Sequence, residues 1–402
     1  MRLKLKYLRH PLRTASIARN LAAERWRLWK LARRGHRRFA GDPRYDLHRV
    51  AEGFASRIDH QSEDTALLDR ICTAYIKAIQ QESSAPEAYR ATVWWERQRG
   101  WSLQPIIHAL SNRDLATVRS MYSNFYRDRS AAGLIVPQTL PRRYFGSKIN
   151  TFHRRLYLID ALYRIDHWKA VTGGRFTPAE LCGPAIGNPF GVVIDGTLVR
   201  VGAEYQHYCA HRIIDLLASK PATVAEIGGG FGGMAYYLLR DRSHTTYIDF
   251  DVPESIALTS YYLLKAFPQL RFLLYGEENL TLDALSRADV VLMPAFELAS
   301  MPAACADLTF SSHAMSDLSP SAMNEYLSRV AAMTAGYFLH IGRQASDQTI
   351  SELVDKEHTT LKLAESRSSG WHDHRATRGS EVESLYRVQP ADHAGPSINA
   401  RQ

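Results

Sequence analysis

No stretch of this 402-residue sequence holds the roughly 18 uninterrupted apolar residues that a membrane-spanning helix needs, so insertion through a bilayer is not expected. Cysteine is also scarce. Cys72, Cys182, Cys209 and Cys305 lie apart without CxxC spacing, which points to no zinc site and suits small core residues in a reducing compartment. Acidic residues are almost missing from the first forty positions, where Glu24 alone stands against 13 Lys or Arg. The rest of the chain carries 37 basic and 40 acidic residues, so the formal net charge of +9 belongs to the N-terminal arm. The arm's charges run throughout and leave no apolar segment of the kind a secretory signal requires.

Glycine, by contrast, is concentrated in one place. Thr223 to Ile227 is a short β-rich run, and five of the next six residues, Gly228 to Gly233, are glycine. Such a turn is free of Cβ crowding, takes positive φ and lets the backbone lie against a ligand. A helix resumes at Met234, and a second strand from Thr245 to Phe250 leads to Asp249 and Asp251. This is about where a nucleotide-binding βαβ unit places its ribose-binding carboxylate.

Around this unit the chain divides by texture. Residues 1–41 form the basic arm, in which Leu21, Leu28, Leu31, Trp26 and Trp29 make an amphipathic pattern; it reads as a membrane-facing or glycan-carrier-facing helix, a nucleic-acid contact, or a solvated, disordered extension. Residues 42–175 carry helical spacing, with a capping-box start at Ser111 to Asp114 and a stop at Gly133 and Pro137; Trp94, Trp95 and Trp101 read as core. Residues 176–202 are a Gly/Pro-rich cover or linker with a hairpin over Asp195-Gly196. Residues 203–390 alternate strand and helix, so the expected fold class is α/β with a Rossmann-like parallel sheet, closed by a hairpin of Leu361–Glu365 and Glu381–Val388. Residues 391–402 read as a loose tail.

The residues flanking the glycines choose the ligand. A dinucleotide turn accepts a pyrophosphate, which Glu226, two positions before Gly228, would repel. A ligand with a cationic end gains from it. S-adenosylmethionine (SAM) carries a sulfonium, an ammonium and a ribose diol that a carboxylate binds bidentately, so SAM is the predicted cofactor. Glu226, Gly228, Gly230, Gly232 and Asp251 would surround it, with Asp249 as the second carboxylate of that strand. At these residues the chain resembles the class I methyltransferases, whose E/DxGxGxG turn and acidic second strand they match. More narrowly, Ile186-Gly-Asn-Pro189, Glu226 to Gly233, Asp251-Val-Pro-Glu254 and the segment from Asp317-Leu-Ser-Pro to Tyr326-Leu resemble a bacterial sugar O-methyltransferase family over residues 45 to 390. That resemblance implies a cytoplasmic enzyme, peripheral at the inner membrane face if the arm docks there.

Methyl transfer to a hydroxyl needs an aligned nucleophile and a base. Phe310 to Leu318 leaves the carboxyl end of a central strand, the edge at which α/β sheets bind ligands, which makes His313 the leading base and Asp317 its orienting partner. His313-Ala-Met-Ser-Asp317 also resembles the His-x-x-Ser-Asp region of plant small-molecule O-methyltransferases. Asn188, Tyr205 and His207 are candidate acceptor contacts. Glu204, His207 and His211 could share a helix face, yet packing is favoured there over metal, and His372 and His374 read as an exposed loop; no metal is predicted. Rival readings are a phenol or polyketide O-methyltransferase and a noncatalytic module docked on a glycan assembly or membrane. Nucleic acid is disfavoured as a substrate, because no Asn/Asp-Pro-Pro-Tyr motif is present and the body is slightly acidic.

Overall fold

The computed structural model describes residues 11–58, 64–131, 133–134, 150–218, 220–375 and 381–389. Pro137, the first ten residues of the arm and the expected 391–402 tail lie outside them.

The described part of the arm is helix α1, Pro11–Phe39. Its C-terminal half is fastened down: Gly35 packs on Ile159, Phe39 is buried against Tyr163, and Arg38 pairs with Asp166 at 3.1 Å. Among the described residues there follow α2 (Leu47–Gly53), α3 (Thr65–Glu82), α4 (Val93–Arg99), α5 (Gln104–Ser111), α6 (Leu115–Tyr122) and α7 (Thr151–Val171). The capping expectation shifts by one helix. Ser111 ends α5, and Asp114 alone caps α6, accepting from the Thr117 N–H at 3.1 Å. Helix α6 stops at Tyr122, well before Gly133.

A two-residue turn at Asp195 (φ 49) and Gly196 (φ 78) joins β1 (Gly191–Ile194) to β2 (Thr197–Arg200), as the Asp-Gly signal predicts. Then come α8 (Ala203–Leu216), β3 (Ala222–Ile227), α9 (Gly233–Asp241), β4 (Thr245–Asp251), α10 (Pro253–Ala266), β5 (Phe272–Leu274), α11 (Leu282–Arg287), β6 (Val290–Pro294), β7 (Ala306–Ser312), α12 (Pro320–Met333), β8 (Thr334–Arg343), α13 (Gln344–Glu357), β9 (Leu361–Ser368) and β10 (Glu381–Val388).

The sheet order is β5-β6-β4-β3-β7-β8-β10-β9, parallel from β5 to β8, with β10 antiparallel to both of its neighbours. This is the expected Rossmann-like α/β sheet with a closing hairpin, joined to a mostly helical N-terminal part. From β3 the chain goes to its neighbour β4 on one side, and β7, the neighbour on the other side, leads on to β8. The crevice at the carboxyl ends of β3 and β7 is therefore a topological switch point. Leu68, Ile71 and Tyr75 of α3 share one core with Leu258, Tyr261 and Tyr262 of α10, so the helical part covers the sheet rather than standing apart.

Candidate functional site

A cavity of about 660 Å³ opens at that switch point. Gly228, Gly229, Gly230, Glu226 and Asp251 line it together with Tyr205, His313 and His372. Gly228 (φ 83), Gly230 (φ 65) and Gly232 (φ 84) are all left-handed. A Cβ on Gly228 would sit 2.1 Å from the Ala314 Cβ, and one on Gly230 would project into open space. The turn is held by carboxylates. Asp249 accepts from the Gly229 N–H at 2.9 Å, and Asp251 accepts from the N–H groups of Gly230 at 3.0 Å and Val252 at 2.7 Å.

These acids are buried. Glu226 accepts from the Tyr247 hydroxyl at 2.6 Å, and burial pushes its carboxyl up to about 8 against that bond. Burial pushes Asp251 up to about 7, and it pushes Asp249 well above the usual carboxylate range with help from the charge of Asp251. One Asp249 oxygen has no hydrogen-bond partner among the described residues. Of the three, Glu226 and Asp251 present their buried carboxyls to the cavity.

The sequence-predicted residues separate. Glu226, Gly228, Gly230, Asp251, Tyr205, His313 and Asp317 line the cavity. Asp249 instead lies beneath the turn, and Gly232 faces Thr259 and Leu263 of α10. Asn188 is a structural clamp: its amide oxygen accepts from the Arg57 N–H at 2.7 Å and its nitrogen donates to Asn124 at 2.7 Å. His207 is buried among Trp168, Phe176 and Tyr237, with Nδ1 accepting from the Trp168 indole at 3.3 Å. Helical spacing explains the split, since Tyr205 and His207 are two positions apart on α8 and point to different sides. The cavity takes Tyr205, Gln206 and Cys209, a single i, i+1, i+4 stripe.

His207, His211 and Asp241 bring one ligand atom each within 4.8 Å of one another. With the Trp168 N–H donated to Nδ1, the neutral His207 ring carries its proton on Nε2 and offers no lone pair there. Glu204, the third member of the expected face, is taken by Arg164.

The base side also departs from expectation. Asp317 does not reach His313; it lies 3.8 Å from Arg343. The carboxylate facing His313 is Glu381, whose Oε1 is 3.6 Å from His313 Nε2 and 3.2 Å from His372 Nε2. Burial lowers His313 to about 4 and His372 to about 3, and raises Glu381. Glu381 begins β10, more than sixty residues from His313, and no local motif links them. His372 is a cavity residue rather than an exposed loop, and His374 is held by Asp160 at 2.7 Å. Trp94 and Trp95 line the cavity, Trp95 while also packing against the core, and Trp101 is exposed.

No family model and no curated protein matches the chain. Among solved structures, 47% of the chain is similar to the mitomycin 7-O-methyltransferase MmcR (16% identity, TM-score 0.32). The same share is similar to the pyocyanin biosynthetic protein PhzM (13% identity, TM-score 0.32), and the chain spans 56% of each of those proteins. A SAM dependent methyltransferase from Aquifex aeolicus is covered over 100% of its length by 53% of this chain (13% identity, TM-score 0.32). The fold assignment stands on strand order and the glycine turn.

Proposed function

We propose that this protein is a SAM-dependent O-methyltransferase acting on a hydroxyl of a sugar or glycan. The observation that carries the reading is that one cavity is lined by the buried carboxyls of Glu226 and Asp251 and by His313, which faces Glu381. Glu226 and Asp251 suit the cationic end and the ribose diol of SAM, and Gly230 leaves the space that an adenosyl group would fill. SAM supplies an electrophilic methyl carbon. His313 Nε2 faces Glu381 at 3.6 Å, beyond a direct hydrogen bond, and Nδ1 is the nitrogen left to take the hydroxyl proton. The low basicity of His313 is tolerable, because a hydroxyl oxygen becomes strongly acidic as its lone pair bonds to carbon and the sulfur takes the C–S pair. Trp94 and Trp95 offer aromatic faces for the C–H face of a sugar ring.

Calorimetric titration with SAM tests the reading. Binding that Asp251→Ala weakens about tenfold to a hundredfold is expected, the range for hydrogen bonds to a charged group. Absence of binding at millimolar SAM would sink it. Transfer of labelled methyl to saccharide acceptors, set beside phenolic ones, then decides between a glycan enzyme and a small-molecule enzyme.

A further inference from the structure

Arg200, at the end of β2, is 1% exposed, and among the described residues no carboxylate pairs with it. Its guanidinium sits among aromatic faces, 5.3 Å from the Tyr237 centroid, 5.6 Å from Phe231 and 6.0 Å from Tyr126. A buried cation without an anion is costly, and aromatic quadrupoles offset only part of that cost. What the guanidinium does hold is Gln206, donating from Nη1 to the amide oxygen at 2.5 Å.

That bond decides which end of the amide is available. With Arg200 donating to its oxygen, the Gln206 amide keeps both N–H donors for the cavity it lines. The amide is pressed against the start of α9: a Cβ added to Gly233 would lie 2.4 to 2.5 Å from its carbon, oxygen and nitrogen. Phe231, from the glycine turn, lies against the same guanidinium, so turn, cation and amide form one packed unit. The cavity is consequently dipolar. Glu226 and Asp251 make one part acidic, and Gln206, backed by a permanent buried charge, makes another part hydrogen-bond-donating.

We propose that Gln206 is the site for the α-carboxylate at the amino-acid end of SAM, and that Arg200 is a positioning residue that holds its amide with the N–H groups toward the ligand. The inference rests on the SAM reading. It assigns the two charges of one zwitterionic group to different walls, the ammonium to Glu226 and the carboxylate to Gln206.

The test uses the full chain and two ligands, S-adenosylhomocysteine and 5′-methylthioadenosine, which share the adenosyl group but differ in the amino-acid end. Gln206→Leu is expected to weaken S-adenosylhomocysteine about tenfold or more and to leave methylthioadenosine unchanged. Gln206→Glu, which opposes the carboxylate with a like charge, is expected to weaken the former further. Arg200→Met is expected to weaken S-adenosylhomocysteine in the wild-type background but to add little to Gln206→Leu, whereas a merely structural role would weaken both ligands and add in full. Arg200→Lys keeps the charge and is expected to restore part of the loss. Equal effects of Gln206→Leu on both ligands, or none on either, would overturn the proposal while leaving the SAM reading intact. Failure of the wild-type chain to bind either ligand would overturn both.

Discussion

Three carboxyls crowd the glycine turn, and their protonation couples the site to pH. Glu226 at about 8 and Asp251 at about 7, with Asp249 also raised, are held above their unfolded values near 4 by burial. Between about pH 4 and 8 the folded, ligand-free protein therefore binds more protons than the unfolded chain, and its stability falls as pH rises through that window. A ligand that prefers the carboxylates must release those protons. SAM affinity is expected to increase from pH 6 to pH 8.5, with proton release visible as a dependence of calorimetric heat on buffer ionisation enthalpy. Asp251→Asn should flatten that slope; an unchanged slope would refute the assignment. Glu381→Gln is expected to lower kcat while sparing the affinity for SAM, because it removes the negative charge that faces His313. His313→Ala should cost about 10²-fold or more in kcat.

At the scale of elements, the glycine turn performs two separable tasks. Gly228 must have its φ of 83 and also leaves no room for a methyl beside Ala314. Gly228→Ala is thus expected to destabilise by at least the 1–2 kcal/mol or so of a left-handed residue, read as a lower Tm. Gly230 has a similar φ of 65 but open space around it. Gly230→Ala should lower Tm less and abolish ligand binding, because its methyl points where the ligand lies. Equal Tm losses with binding retained would contradict this division. Much of this level is legible beforehand: Asp-Gly sets the hairpin, Pro253 starts its helix, and β-rich runs mark β3 and β6. Helix α13 gave no comparable signal. It opens without a side-chain cap and exposes much of its polar sequence, so local pattern is weak there.

At the scale of the molecule, charge and fold are segregated. Described residues of α1 include Arg25, Arg27, Lys30, Arg33, Arg34, Arg37 and Arg38 against the single acid Glu24. Trp26 and Trp29 stack at 5.1 Å on its exposed side, with Lys30 and Arg33 over their rings. Among the described residues no helix is long and apolar enough to cross a membrane. Interfacial tryptophans on a basic helix match an anionic bilayer surface, where each cation contributes about 1 kcal/mol. Removal of residues 1–30 is expected to abolish cosedimentation with phosphatidylglycerol vesicles, a binding that salt should also weaken, while SAM affinity stays within twofold or so. Persistent vesicle binding by the truncated chain would exclude α1 as the docking element.

The sequence by itself determined the glycine turn, its acidic flanks Glu226 and Asp251, the strand that delivers His313, and the charged arm, because each is written in residues close together along the chain. Only the tertiary structure decided which partners those residues meet. It set Glu381 rather than Asp317 opposite His313, turned Tyr205 and Gln206 inward and His207 away, sent Asn188 to clamp a loop, and enclosed Arg200 among aromatic rings. These outcomes depend on helix rotation and on strand order, and both bring together residues whose separation in sequence carries no signal of their contact.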